Sequence, residues 1–146
     1  MKYTLAVEIK KPIQEVIEKF DNSDNMFKWM PGLIAFEHIS GTSGEVGAKS
    51  KLVFENGKRK VELIETITHK NLPHEFFGTY ETKGVFNTIE VRFKEIDAST
   101  TVYESTQEFK FSGFMKLMSF IMPSSIFKKE SMKYMNGFKN FAESDS

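Results

Sequence analysis

The chain has no cysteine, only four prolines and a single tryptophan in 146 residues. The absence of cysteine excludes disulfides, thiolate catalysis and cysteine-ligated metal sites. No stretch rich in proline, glycine or serine separates two parts of the chain, and no internal repeat or low-complexity tract occurs. At this length the simplest organisation is one domain, so we predict a single domain over residues 1–146.

The chain also lacks an excess of charge of either sign. Lysine and arginine together number 20, as do aspartate and glutamate, and the formal net charge is zero. A nucleic-acid-binding protein needs a basic face that neutralises phosphates, so we expect no nucleic-acid partner. A local basic patch stays open as an alternative, because Lys128, Lys129, Lys133 and Lys139 lie close together near the C-terminus.

Long apolar runs are missing as well. The most apolar stretch, residues 114–122, has about half the length of a membrane span and contains Lys116. The first residues, Met1 to Leu5, do not resemble the apolar core of a secretion signal. We therefore expect no stable membrane insertion and a cytoplasmic location.

What the chain does have is 15 phenylalanines and 8 methionines in an otherwise polar sequence. Large apolar side chains suit an irregular interior, although they also fit an ordinary core. The pattern of hydrophobic residues predicts one strand, two short helices, six strands and a final helix. The strands are predicted at 2–9, 33–40, 48–55, 59–69, 74–82, 85–95 and 100–111, and the helices at 12–20, before Pro31-Gly32 and at about 124–142.

Six consecutive strands with short turns, among them Asn56-Gly57, predict an antiparallel meander. We expect Ser23 or Asp24 to cap the short second helix and Ser124 to cap the last one. The predicted fold class is α+β: a seven-stranded antiparallel curved sheet wrapped around a long C-terminal helix, with two short helices between strands 1 and 2. A sheet that wraps around one helix tends to leave a hollow between the two.

Alternation along the strands places polar side chains on the inward face of this sheet. The inward polar residues are Glu65, Asn87, Tyr103, Ser105, Gln107, His38 and Tyr80, and the last helix adds Glu130 and Ser131. In strand 33–40 the residues assigned inward are Ile34, Phe36 and His38. An unpaired polar group in a dry core costs about 1–3 kcal/mol, so these groups either bond one another and buried water or line a cavity. We favour the cavity.

Four short segments resemble those of the START-like/Bet v 1-like (SRPBCC) superfamily, in its polyketide cyclase/dehydrase and lipid-transport branch. They are residues 7–12 followed by Val16, Trp29-Met30-Pro31-Gly32, Gly44-Glu45-Val46-Gly47-Ala48, and residues 135–143. The resemblance implies a helix-grip fold with a hydrophobic cavity between the sheet and the last helix. It also implies activities that range over lipid and hormone binding, aromatase/cyclase chemistry and co-chaperone work, among which the fold does not choose.

The predicted ligand-binding residues come from the inward faces of the strands and from the apolar stripe of the last helix. Contact area is expected from Phe36, Phe54, Phe76, Ile89, Val91, Phe109, Tyr134 and Phe138. Orientation is expected from Glu65, Asn87, Tyr103, Ser105 and Gln107, together with Tyr80 and with Glu130 at the cavity mouth.

Candidates for catalysis are few. Glu65, on the inward face of a central strand, should have a raised pKa and could act as a base near Tyr103 or His38; the alternative is that the strand twists and its side chain reaches water. The three histidines share no metal-ligand spacing, and residues 44–50 lack the spacing of a phosphate-binding loop. We expect neither a metal nor a cofactor.

These observations leave three functional hypotheses. The first is binding of a small hydrophobic molecule such as a lipid, an isoprenoid or a polyketide-like compound. The second is a metal-free cyclase or dehydratase, and the third is a protein-interaction module that uses residues 114–122. That segment could be a lid, a dimer contact or a membrane-touching surface, and a packed cover is the interpretation we favour. The chain is expected to be a monomer or a homodimer.

Overall fold

A computed structural model describes residues 1–145 of the chain. Its elements follow the predicted order, with boundaries within a few residues of those expected. They are β1 (Lys2–Ile9), α1 (Ile13–Phe20), a 3-10 turn (Ser23–Asn25), α2 (Met26–Trp29), β2 (Leu33–Ser40), β3 (Lys49–Asn56), β4 (Arg59–Asn71), β5 (Glu75–Thr82), β6 (Val85–Asp97), β7 (Thr100–Phe111), α3 (Phe114–Ser119) and α4 (Ser124–Glu143).

The seven strands form one antiparallel sheet in the order β1-β7-β6-β5-β4-β3-β2. The strands β2 to β7 pair with their neighbours in sequence, and β1 pairs with β7, with Val7 opposite Tyr103. The two edges are therefore β1 and β2, and the segment that contains α1 and α2 connects one edge to the other. The sheet curves around α4, which confirms the predicted helix-grip fold.

The packed core lies where the C-terminal half of α4 meets α1, α2 and the sheet. Phe138 is fully buried there, and its ring makes edge contacts with Phe20, Trp29 and Tyr103 at centroid distances of 5.5, 5.1 and 5.5 Å. Edge-to-face packing of this kind adds to the free energy gained from burial alone. This aromatic cluster fixes α4 to both the sheet and the short helices.

Gly137 allows α4 to approach α2 closely. A Cβ atom at this position would lie 2.4 Å from the backbone oxygen of Trp29, well inside any real contact distance. The absence of a side chain at position 137 is therefore a steric requirement of the contact between the two helices, even though glycine is a poor helix former.

The caps and one strand face differ from the expectation. The side chain of Asn22, not Ser23 or Asp24, accepts the N–H of Asp24 at 3.0 Å and caps the 3-10 turn. The residue before α4 is Pro123, whose extended backbone begins the helix without a side-chain cap, so Ser124 is its first helical residue. Ile34 is exposed rather than inward, because a bulge between Leu33 and Ala35 breaks the alternation of β2.

We predict that Gly137→Ala lowers the free energy of unfolding by about 1–3 kcal/mol, because the new methyl group overlaps the Trp29 carbonyl. In an open helix the same change would be stabilising. Asn136→Ala, at the exposed neighbouring position of α4, is the matched control and should be neutral or slightly stabilising. Urea unfolding measures both, and equal values for the two variants would contradict the prediction.

Candidate functional site

A cavity of about 710 Å³ lies between the concave face of the sheet and α4. All but one of the predicted ligand-binding residues line it. The predicted residues on its wall are Phe36, Phe54, Glu65, Phe76, Tyr80, Asn87, Ile89, Val91, Tyr103, Ser105, Gln107, Phe109, Glu130 and Tyr134. The inward faces of β4 to β7 meet here because those strands keep a regular alternation over most of their length.

Phe138 is the exception. It is fully buried in the aromatic cluster behind the wall and does not line the cavity. Tyr134 lies one helical turn earlier on the same stripe and does line it. The apolar stripe of α4 thus lines the cavity in its first part and packs against α1 and α2 in its second part, because the cavity ends part-way along the helix.

His38 does not reach the cavity either. It pairs with Ser50, which is on the wall, but the imidazole is exposed and its Nε2 lies 2.8 Å from the carbonyl oxygen of Gly41. His38 lies near the end of β2, an edge strand of the sheet, so solvent reaches its side chain although its backbone partner lies on the wall. His38 is therefore no partner for Glu65 in catalysis.

Glu65 and Tyr80 form a buried pair on the wall. The Tyr80 hydroxyl donates a hydrogen bond of 2.7 Å to Oε2 of Glu65, whose side chain is 7 % exposed. Burial raises the pKa of the Glu65 carboxyl, and the bond from Tyr80 offsets this only in part. Burial also raises the pKa of the Tyr80 phenol, with the neighbouring Glu65 charge acting in the same direction. The expectation that Glu65 faces inward is thereby met, and its side chain does not turn out to bulk water.

Tyr103 stands on the wall with its hydroxyl free. Its ring stacks on Phe93 at 5.3 Å, and burial raises the pKa of the phenol far above its ordinary value, so the group is neutral. Within residues 1–145 the hydroxyl makes no hydrogen bond. A buried neutral hydroxyl in this position can both donate and accept.

Two amide side chains on the wall form hydrogen bonds with the protein through their nitrogen atoms but not through their oxygen atoms. Asn87 Nδ2 donates to the carbonyl oxygen of Glu108 at 3.2 Å, and Gln107 Nε2 donates to Ser105 Oγ at 3.3 Å. Their side-chain oxygens bond no protein atom in the described part of the chain. Those oxygens retain accessible surface, since Trp29 Nε1 is the one fully buried side-chain polar atom of residues 1–145 without a partner. The polar wall is therefore partly satisfied by the protein and partly open to the cavity.

Several wall residues escaped the sequence analysis. At one end of the cavity Lys70 Nζ lies 2.8 Å from the carbonyl oxygen of Gly44, 3.3 Å from Asp21 Oδ1 and 3.7 Å from Glu45 Oε1. Strict alternation turns Lys70 outward, but a register shift between Ile67 and His69 reverses the faces of β4. Other wall residues that were missed come from α1 and α2, from the start of β3 and from α4: Phe20, Met26, Trp29, Met30, Ala48, Ser50, Leu52 and Met135.

The segment at residues 114–122 does not cover the cavity, so the favoured interpretation of a packed cover is wrong. Phe114, Leu117, Phe120 and Ile121 are 72, 68, 78 and 74 % exposed, and none of these residues lines the cavity. The reason is the placement of α3 beside the turn between β5 and β6, where Met115 packs against Gly84. Most of its apolar surface therefore faces away from the protein.

Among residues 1–145, no group of three or more histidine, aspartate and glutamate side chains could hold a metal ion. Nor does any helix in this part of the chain have the length and apolar character needed to cross a membrane.

Comparison with known proteins rests on structure alone, because no family model and no curated protein matches the sequence. The Zhui aromatase/cyclase from Streptomyces sp. R1128 superposes with a TM-score of 0.80 at 12 % identity, covering 98 % of this chain and 93 % of that one. Ara h 8.0201 gives 0.75 at 12 % identity over 97 % of both chains. Norcoclaurine synthase from Thalictrum flavum, in complex with dopamine and hydroxybenzaldehyde, gives 0.72 at 13 % identity over 100 % and 88 %.

The chain has the START-like/Bet v 1-like fold. The resemblance carried by Trp29 to Gly32 and by Gly44 to Ala48 is thus confirmed for the fold. At 12 and 13 % identity the comparisons carry no activity over to this chain, so the Bet v 1-like cavity must be interpreted from its own residues.

In this Bet v 1-like cavity we predict that Glu65→Gln changes how stability depends on pH. Because the folded-state pKa of Glu65 is raised, its contribution to the free energy of unfolding is complete below the ordinary carboxyl pKa and is lost as the pH rises through the raised value. Glutamine cannot ionise and still accepts a hydrogen bond from Tyr80. The difference in unfolding free energy should therefore move in favour of the variant as the pH rises from about 4 to 8.

Urea unfolding at several pH values measures this difference. Glu62→Gln, on the exposed face of the same strand, is the matched control and should show a much smaller trend. A pH-independent difference for Glu65→Gln, or one that moves in favour of the wild type, would contradict the assignment of a raised pKa.

Proposed function

We propose that the cavity binds a small, largely apolar molecule that carries one or two neutral polar groups. The observation that supports this most directly is the coexistence, in one space of about 710 Å³, of an aromatic wall with polar atoms that the protein leaves unbonded. Ligand sites of roughly 300–1,000 Å³ with a few convergent polar groups are typical of small-molecule binding.

The apolar part of the wall would supply most of the affinity. Phe54 and Tyr134 meet edge to face at 5.9 Å across the gap between β3 and α4, and Ile89 and Val91 form the floor on β6. Each apolar Å² removed from water contributes about 25 cal/mol, so a ligand with a long or multi-ring hydrocarbon body suits this wall. Lipids, isoprenoids and polyketide-like compounds all meet that description.

The charges on the wall favour a neutral ligand over an anionic one. Lys70 is the single cation among the described wall residues, and Asp21 and Glu45 already engage it. The two remaining acidic residues, Glu65 and Glu130, would repel a carboxylate unless they were protonated. An alcohol, phenol or ketone is therefore a better match than a fatty acid, with the Tyr103 hydroxyl as donor and the Gln107 or Asn87 oxygen as acceptor.

One observation favours a second candidate function, a metal-free enzyme of the cyclase or dehydratase type. The Glu65–Tyr80 pair places an acid with a raised pKa inside the cavity, where it could give a proton to a bound carbonyl compound. In that case Glu65 and Tyr103 are the catalytic candidates that remain. No base positioned by a further group accompanies them in the described residues, so binding is the better-supported proposal.

We propose that residues 1–146 form one domain, that the protein acts in the cytoplasm, and that it needs no nucleic-acid partner and no cofactor. We further propose that it is a monomer or a homodimer.

We predict that Ile89→Trp reduces ligand uptake at least about tenfold, because the larger ring on the wall occupies the space that the ligand needs. Thr88→Trp, on the opposite face of the same strand, is the matched control and should leave uptake unchanged. The measurement is mass spectrometry of an organic extract from each freshly purified protein, supported by titration with an environment-sensitive apolar dye.

Three results separate the candidate functions. A compound that co-purifies with the wild type and with Thr88→Trp, but not with Ile89→Trp, supports binding in the cavity. If this compound is then converted to a product by the wild type and not by Glu65→Gln, the enzyme is the correct candidate. No co-purifying compound and equal dye binding by all three proteins would contradict both.

A further inference from the structure

The chain folds back at one corner of the molecule, between the end of β7 and the first turn of α4. We call residues 110–129 the α3 corner. We propose that the α3 corner is a docking surface for an anionic phospholipid membrane, into whose interface its exposed apolar side chains insert. This function is separate from ligand binding and does not depend on it.

The apolar side chains of the α3 corner share one side of a short helical segment. Backbone bonds from Phe120 to Leu117 (3.3 Å) and from Ile121 to Met118 (3.1 Å) continue the helical turn beyond the end of α3. Phe114, Leu117 and Ile121 are spaced by three and four residues and so lie on the same face, with Phe120 beside them. A helix face on which several large apolar side chains are mostly exposed is typical of segments that lie in a membrane interface.

The segment is held in place from its other side. Met115 points towards the turn between β5 and β6, where its Cγ would be 2.9 Å from a Cβ at Gly84, and the N–H of Ser112 donates to the carbonyl oxygen of Gly84 at 3.0 Å. The apolar face is thus presented outward by a supported helix and not by a free loop. A pre-organised surface loses little entropy when it inserts.

The charged side chains within the α3 corner all have one sign. Residues 110–129 contain four lysines, at positions 110, 116, 128 and 129, and no acidic residue, in a chain whose net charge is zero. All four are exposed, and none forms an ion pair with another described residue. The next position, Glu130, pairs with Lys133 at 3.8 Å. Lysines beside an inserted apolar helix are attracted by anionic lipid headgroups.

A second copy of this chain is a poorer occupant of the same surface. In a two-fold symmetric dimer each patch meets an identical patch, so the four lysines of one protomer would face the same four of its partner. That arrangement would remove like charges from water without a counter-charge. A fluid, anionic interface supplies the counter-charge that a second copy lacks.

The test uses the full chain and sedimentation with lipid vesicles. We expect binding to phosphatidylcholine vesicles that contain phosphatidylserine, little binding to phosphatidylcholine alone, and weaker binding as salt is added. The double variant Leu117→Ser/Ile121→Ser should lose binding at least about tenfold, because two inserting side chains are removed. Its matched control is Ile39→Ser/Ile96→Ser, at positions 52 and 59 % exposed on other parts of the surface, which should bind like the wild type.

A second pair of variants tests how much the lysines of the α3 corner contribute to vesicle binding. Lys116→Gln/Lys128→Gln should weaken binding and reduce its dependence on salt, whereas Lys58→Gln/Lys60→Gln, in and beside the exposed turn between β3 and β4, should not. All substituted side chains are on the surface, and circular dichroism checks that each variant folds. The proposal is overturned if no vesicle binds, if both lipid mixtures bind equally, or if the control pairs weaken binding as much. A concentration-dependent dimer that Leu117→Ser/Ile121→Ser abolishes would also overturn it, because a second copy would then cover the surface.

Discussion

The attachment of α4 at one end determines the rest of the architecture. Gly137 lets the helix approach Trp29 and Phe138 is buried in the aromatic cluster, so the C-terminal half of α4 is packed against both α2 and the sheet. The last residue of α4 is also held in place, since the Glu143 carboxylate accepts a hydrogen bond of 2.8 Å from the backbone N–H of Lys10. The N-terminal half is joined to the sheet by a hydrogen bond and by ring contacts: the Tyr3 hydroxyl lies 2.7 Å from Ser131 Oγ, and Phe127 packs 5.1 Å from Phe109. The cavity lies beneath this half of the helix, where Phe127 and Tyr134 form its roof.

The interior that results is polar in a restricted way. Burial raises the pKa of the Glu65 carboxyl and keeps the phenols of Tyr80 and Tyr103 neutral, and the one cation of the wall, Lys70, is paired with Asp21 and Glu45. Groups that bond within the wall, such as Tyr80 with Glu65, stabilise the empty protein, while the unbonded oxygens of Gln107 and Asn87 remain available. In Asn87 and Gln107 the amide nitrogen thus bonds the protein, while the amide oxygen of the same side chain is left for a ligand.

The sequence predicted the sheet and most of the cavity wall because β6 and β7 pair in regular register through the cavity, so that Asn87, Val91 and Gln107 could be placed from alternation alone.

Prediction from alternation failed where the register of the strands shifts. The irregularities in β2 and β4 account for Ile34, which is exposed, and for Lys70, which alternation turns outward, since a bulge reverses the alternation and leaves no mark in the hydrophobic pattern. His38 was misplaced for another reason, because it lies near the exposed end of an edge strand. Helical periodicity likewise put Phe138 and Tyr134 on one stripe but could not say where along α4 the cavity ends. An apolar segment is predicted to be buried, and residues 114–122 are exposed because only one side of that short helix finds a surface to pack on.

Different interactions hold the two ends of the cavity, and one of these ends adjoins the exposed α3 corner. At one end Lys70 donates a hydrogen bond to the Gly44 carbonyl oxygen and forms ion pairs with Asp21 and Glu45, which joins β4 to two other segments of the chain. At the other end the wall is a stack of rings, with Phe127 at 5.1 Å from Phe109 and 5.6 Å from Phe111. These ring contacts pack the first turn of α4 against β7. Phe127 and Phe111 both belong to the α3 corner, so the aromatic end of the wall and the exposed apolar face lie in the same short stretch of chain.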